Sequence, residues 1–167
     1  KFTQLNHLDL SYNNIGIIAD DAFEGTAIQV LTLSSNNLEI VPNLSAIGTT
    51  LTTVTLDENR RITSIPASVF TGLIELTNFY CRSTELTEFP DFSQLPDSNK
   101  LRVLELSYNA LSAIPRTALD RLHNLQRLLL DHNKLVQVPN LQNQILTTLD
   151  LSFNTFHLTN EDFRGVK

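Results

Sequence analysis

The stretch Leu101-Arg102-Val103-Leu104-Glu105-Leu106-Ser107-Tyr108-Asn109-Ala110-Leu111 carries leucine at its first, fourth, sixth and eleventh places and asparagine at its ninth. The same pattern returns along the whole chain. It stands at Leu5-Leu8-Leu10-Asn13-Ile15, Ile28-Leu31-Leu33-Asn36-Leu38, Leu125-Leu128-Leu130-Asn133-Leu135 and Leu146-Leu149-Leu151-Asn154-Phe156. Two copies depart from it. Leu51-Val54-Leu56-Asn59 has its last apolar residue displaced by one place, to Ile62, and Leu76-Phe79-Cys81-Thr84-Leu86 has Phe and Cys where two leucines stand elsewhere and Thr in place of the asparagine. Starts near residues 5, 28, 51, 76, 101, 125 and 146 define seven repeats, 21–25 residues apart. Repetition at such a period marks a stacked architecture.

The alternating middle of the pattern is a short strand, with leucines pointing inward and the residues between them pointing out. Stacked turns then form a parallel sheet on the inner face of an arc, and the leucines merge into one core. The asparagine falls where the chain leaves the strand, and its amide both donates and accepts, so it can satisfy buried backbone groups. The predicted fold class is therefore α/β, a curved solenoid with short helical, 3₁₀ or extended returns on its convex side. In the returns, Phe23-Glu24-Gly25, Phe70-Thr71-Gly72 and Phe163-Arg164-Gly165, with Leu119 in the equivalent place, alternate with Val41-Pro42-Asn43-Leu44, Phe89-Pro90-Asp91-Phe92 and Val138-Pro139-Asn140-Leu141. Since Pro lacks a backbone donor and fixes φ, longer helical or 3₁₀ returns are expected to alternate with tighter extended ones. The Phe residues, and the Ile, Val or Phe before each Pro, read as an outer core layer.

These residues resemble the extracellular, "typical" subfamily of animal leucine-rich-repeat proteins. The fullest match runs from Leu51 through Ile62-Thr63-Ser64-Ile65-Pro66 to Phe70-Thr71-Gly72-Leu73, and the likeness covers nearly every residue from Leu5 onward. The alternation of Phe-x-Gly with Pro-directed returns is similar to that in hormone-receptor-like and innate-immune ectodomains. The resemblance implies a leucine-rich-repeat horseshoe that binds a protein ligand or co-receptor at the cell surface or outside the cell. That family closes its ends with Cys-rich caps. None is present, and the chain contains no Met, so residues 1–167 are expected to be a single domain belonging to a longer array.

Composition narrows the alternatives. Apolar residues at 41%, with only 5 Gly and 6 Pro, exclude a low-complexity chain. No apolar run is long enough to span a bilayer. The net charge of −6, without a basic block, disfavours nucleic acid as a partner. A single Cys excludes an internal disulfide and a cysteine-based zinc site. Cys81 itself falls at an inward place, where it serves as a small hydrophobe. No cofactor or metal is expected. Catalysis needs groups that converge within a few ångströms. His7 and His132 lie five turns apart, about 25 Å at the usual strand spacing of roughly 4.8 Å. His123 and His157 have no evident partner, and paired carboxylates such as Asp57-Glu58 with Glu85 read as solvated surface. The chain is not expected to be an enzyme.

Outward places of the strands form the concave face. The third place carries His7, Val30, Thr53, Asn78, Val103, Arg127 and Thr148, and the fifth carries Asp9, Thr32, Thr55, Tyr80, Glu105, Leu129 and Asp150. The seventh carries Ser11, Ser34, Asp57, Arg82, Ser107, Asp131 and Ser152, followed at the eighth by Tyr12, Ser35, Glu58, Ser83, Tyr108, His132 and Phe153. All three tyrosines fall on these places, and Tyr and Arg are common anchors of protein interfaces. The expected partner-binding residues are Thr55, Asp57, Glu58, Arg60, Tyr80, Arg82, Glu105, Tyr108, Arg127, Leu129, Asp131 and His132, centred on Tyr80, Arg82, Glu105 and Tyr108. Leu129 is expected to be an exposed apolar group, and Asp57 and Arg82 are placed to bridge. The sequon Asn43-Leu44-Ser45 makes Asn43 a candidate N-glycosylation position. The alternatives to extracellular recognition are an adhesion or self-assembly module and an intracellular scaffold.

Overall fold

The computed structural model describes residues 2–141 and 145–156. Seven short strands form one parallel sheet in chain order: β1 (His7–Asp9), β2 (Val30–Thr32), β3 (Thr53–Thr55), β4 (Asn78–Tyr80), β5 (Val103–Glu105), β6 (Arg127–Leu129) and β7 (Thr148–Asp150). The register pairs equivalent places of successive repeats, for example Val103 with Arg127 and Leu104 with Leu128. A chain that re-enters the sheet every turn must cross over on one side, so its returns stack as a second layer.

Between the layers lies a continuous core. Leu31, Val54, Phe79, Leu104 and Leu128, the central residues of five strands, are fully buried, and so are the first-place residues Ile28, Leu51, Leu76, Leu101 and Leu125. The outer layer contains Phe23, Phe70 and Leu119 together with Val41, Phe89 and Phe92. Around the third return, Phe70 lies 4.4 Å from Phe92 and 5.4 Å from Phe79, ring centre to ring centre. Cys81 is buried, and removal from water raises its thiol pKa to about 12. An inert core residue is the consequence.

The returns differ from the expected alternation. Among the described residues they contain two 3₁₀ helices and no α-helix: Ser45–Ile47 in the Pro-directed second return and Ala67–Phe70 in the third. The helix Ser45–Ile47 arises because Asn43 Oδ1 accepts a hydrogen bond from the Ser45 backbone N–H at 3.0 Å, turning the chain sharply after Pro42. The two helices approach so closely that a Cβ on Gly48 would sit 2.5 Å from the Gly72 carbonyl oxygen. Phe163-Arg164-Gly165 and His157 lie outside the described residues.

Each turn leaves its strand through a left-handed residue. Tyr12, Ser35, Glu58, Ser83, Tyr108, His132 and Phe153 all have φ between 52° and 60°. This conformation is unfavourable for bulky residues. In six of the seven turns the next residue is an asparagine, which is thereby turned inward to bond the backbone. Asn133 Nδ2 donates to Leu130 O of its own turn and to Leu106 O of the preceding one, both at 3.0 Å, while its Oδ1 accepts from Leu111 N. The Oδ1 bond recurs from Ile15 to Asn36, Leu38 to Asn59, Leu86 to Asn109 and Leu135 to Asn154. It is missing at the junction of repeats three and four. There the extra residue lets Ile62 N–H bond Asn59 O within its own turn, so the fourth repeat has no amide to satisfy. Thr84 instead donates to Asn109 Oδ1 at 2.6 Å. The displaced Ile62 and the missing asparagine are thus one irregularity.

Candidate binding face

The concave face is the outward surface of β3 to β7 with the left-handed residues that follow each strand. Thr55, Tyr80, Glu105 and Leu129 stand side by side across β3 to β6 in a single register. All four are half-buried. Leu129 is therefore not the exposed apolar group expected from its place; Glu105 and Asp150 flank it in the sheet. Arg127 is exposed on β6, two residues from Leu129. Arg60 is exposed but lies in the inserted loop rather than on a strand.

The seventh and eighth places bring the remaining residues together. Asp57 does not pair with the Arg82 guanidinium. Its Oδ1 accepts from the Arg82 backbone N–H at 2.8 Å, which leaves the side chain to lie over the Tyr108 ring, 4.6 Å from its centre. A guanidinium over an aromatic face is a cation–π contact. Tyr108 stacks on His132 at 3.9 Å and 11°, and His132 stacks on Phe153 at 4.1 Å and 19°. Arg82, Tyr108, His132 and Phe153 form a ladder across four consecutive turns. The left-handed backbone produces its aromatic part, by sending Tyr108, His132 and Phe153 out along the same edge, and Arg82, one place before the left-handed Ser83, reaches over the first of these rings. The contact patch predicted from residue type omits Phe153. The signal was available as three planar rings at the eighth place of consecutive repeats.

Carboxylates surround this ladder. Asp131 accepts from Ser107 Oγ, and its Oδ2 lies 2.9 Å from His132 Nδ1. Partial burial opposes ionisation of Asp131, but the Ser107 and His132 hydrogen bonds outweigh it and hold the carboxyl below its usual value. Burial dominates at Asp57 and raises its pKa, despite the bond from Arg82, with Glu105 and Glu58 adding repulsion. Glu105 accepts from Ser107 N at 2.9 Å, and Glu58 accepts from Ser35 Oγ at 3.1 Å. Among the described residues, no group of three or more His, Cys, Asp and Glu side chains is arranged to hold a metal ion. No helix among them is long and apolar enough to cross a membrane.

Comparison with solved structures gives the same architecture. The crystal structure of the TLR13–ssRNA13 complex superposes with a TM-score of 0.86 at 25% identity, over 98% of this chain and 24% of that one. A leucine-rich-repeat protein of Leptospira interrogans gives 0.75 at 26% identity, over 96% of this chain and 40% of that one. The Toll–Spätzle complex of Drosophila gives 0.81 at 24% identity, over 92% of this chain and 21% of that one, and supports the fold alone. The chain spans less than two thirds of each of these proteins. No curated protein matches its sequence significantly. The sequence profile described as leucine rich repeat matches residues 1–44 and 95–135, just over half of the chain. With these matched segments and a parallel strand in every turn, the chain belongs to the leucine-rich-repeat family.

Proposed function

We propose that this chain is a non-catalytic recognition segment, a single repeat domain within a longer array, that binds a protein partner through the concave face of repeats three to seven. The Arg82–Tyr108–His132–Phe153 ladder carries this reading. It is a fixed, partly exposed aromatic edge, with Tyr108 41% and Phe153 73% exposed. Rigid aromatic groups bind with little loss of side-chain freedom, which is why they anchor interfaces. The carboxylates of Asp57, Glu58, Glu105 and Asp131 beside the ladder favour a partner presenting cationic side chains and disfavour a polyanion. The TLR13 structure holds single-stranded RNA and the Toll structure holds Spätzle, so both ligand classes occur on this fold. The acidic face and the net charge of −6 favour the protein class here.

The proposed setting is extracellular or at the cell surface, as part of an animal receptor or secreted recognition protein of the "typical" subfamily. Tyr80→Ala and Tyr108→Ala are expected to weaken binding of a partner captured from extracellular fluid at least tenfold, with circular dichroism unchanged. Unchanged affinity in both variants would remove this patch from consideration. Self-association through the same face is the alternative reading. Light scattering that stays monomeric at high concentration disfavours it.

A further inference from the structure

We infer that Asn43 is an acceptor for an N-linked glycan on the side of the solenoid away from the binding face. Leu44 is fully buried and fixes the turn, while Asn43 and Ser45 on either side of it are exposed. Asn43 Oδ1 is engaged by Ser45 N–H, and among the described residues Asn43 Nδ2 makes no hydrogen bond within the chain. The nitrogen that would be modified thus faces solvent on a preformed turn, with the hydroxyl of Ser45 two residues on. Sequon chemistry requires this pairing of Asn with Ser or Thr.

The turn by itself explains only part of this. In the fourth repeat the same turn is made by Asp91, whose Oδ1 accepts from Ser93 N at 2.9 Å. An aspartate therefore serves the scaffold equally well, yet it has no amide to modify. In the sixth repeat Asn140-Leu141-Gln142 has the amide but no hydroxyl two residues on. Only the second repeat combines both groups. In the reaction, Nδ2 attacks C1 of an oligosaccharide carried on a lipid pyrophosphate. The C1–N bond forms, the C1–O bond to pyrophosphate breaks, and the amide gives up one proton as the lipid pyrophosphate leaves with the electron pair. The glycan would project from the return layer and leave the Tyr108 ladder accessible.

This inference rests on the proposed extracellular setting only for its occurrence in the native cell. The test is to direct the chain through the secretory pathway of a eukaryotic cell with a leader peptide and to measure intact mass before and after enzymatic removal of N-glycans. The secreted chain is expected to carry one glycan mass, with residue 43 converted to Asp on removal. Asn43→Asp keeps the turn and is expected to carry none, as is Ser45→Ala. A folded, secreted wild-type chain without glycan at Asn43, or glycan retained in Ser45→Ala, would overturn the inference. Failure of the binding-face reading would appear separately, as unchanged affinity in Tyr80→Ala and Tyr108→Ala.

Discussion

Asp57 and Asp131 occupy the same place three turns apart, and their surroundings push them in opposite directions. Burial raises the Asp57 pKa, so its folded state prefers the protonated acid. Its contribution to stability is fully present below the unfolded value and is lost as pH rises through the raised folded value. Asp57→Asn keeps an oxygen for the Arg82 N–H and is expected to melt higher than wild type at neutral pH, with the advantage vanishing on acidification. Asp131 has the opposite sign. Its carboxyl is held below the usual value, so its stabilisation is present above the unfolded value and lost as pH falls through the folded one. Asp131→Asn should melt lower than wild type at neutral pH, and the deficit should close in acid. Melting temperatures of the three proteins from about pH 3 to about pH 8, which brackets the carboxylate range, decide the matter. Parallel curves would refute both assignments. None of this is legible in the sequence. Register fixes the face from which Asp57 and Arg82 depart, but not which neighbour a long guanidinium side chain selects.

At the scale of one turn, the asparagine rung is the unit that joins neighbouring repeats. Asn59 is fully buried, and its side chain is the hydrogen-bond partner of both Leu38 N and Leu56 O. Leu33 O, which it also bonds, retains Asn36. Asn59→Ala would leave two buried backbone groups unpaired, at about 1–3 kcal/mol each. Asn13 is exposed and, among the described residues, bonds only Leu10 O and Ser11 O of its own turn. Asn13→Ala is expected to cost less than about 1 kcal/mol, the usual net value of one hydrogen bond. Equal losses in urea denaturation would show that the rung does not act between turns. The inward leucines and these asparagines can be read from the sequence because both obey its period. The left-handed residue before each asparagine cannot, because Tyr12, Glu58 and His132 share no property that selects a positive φ. The aromatic ladder depends on that backbone and is obscured with it. The Pro-directed second return misleads for a related reason: Pro42 does direct the chain, but the turn made by Asn43 then restores a 3₁₀ helix.

Across the whole molecule, stability is close to a sum of turns and of the contacts between them, so the weakest junction decides how the array comes apart. The junction of repeats three and four lacks the asparagine bridge found at the other five. Strand pairing between β3 and β4 continues across it, and Glu85 N still bonds Ile62 O at 3.0 Å. The junction also has a compensation of its own. Phe70 from the third return packs on Phe79 of β4 and on Phe92 of the fourth return. Phe70→Ala would remove about 3–5 kcal/mol from the one interface that has no amide rung to hold it. Leu104→Ala, at an equally buried place in β5, would cost about 2–5 kcal/mol but leave bridged junctions on both sides. Urea unfolding of Phe70→Ala is therefore expected to separate into two transitions, with hydrogen exchange showing the first three turns and the remaining turns opening independently. Leu104→Ala is expected to unfold at lower urea in a single step. Single transitions of equal steepness in both variants would mean that the sheet alone couples the turns, and that the phenylalanine cluster does not stand in for the missing rung.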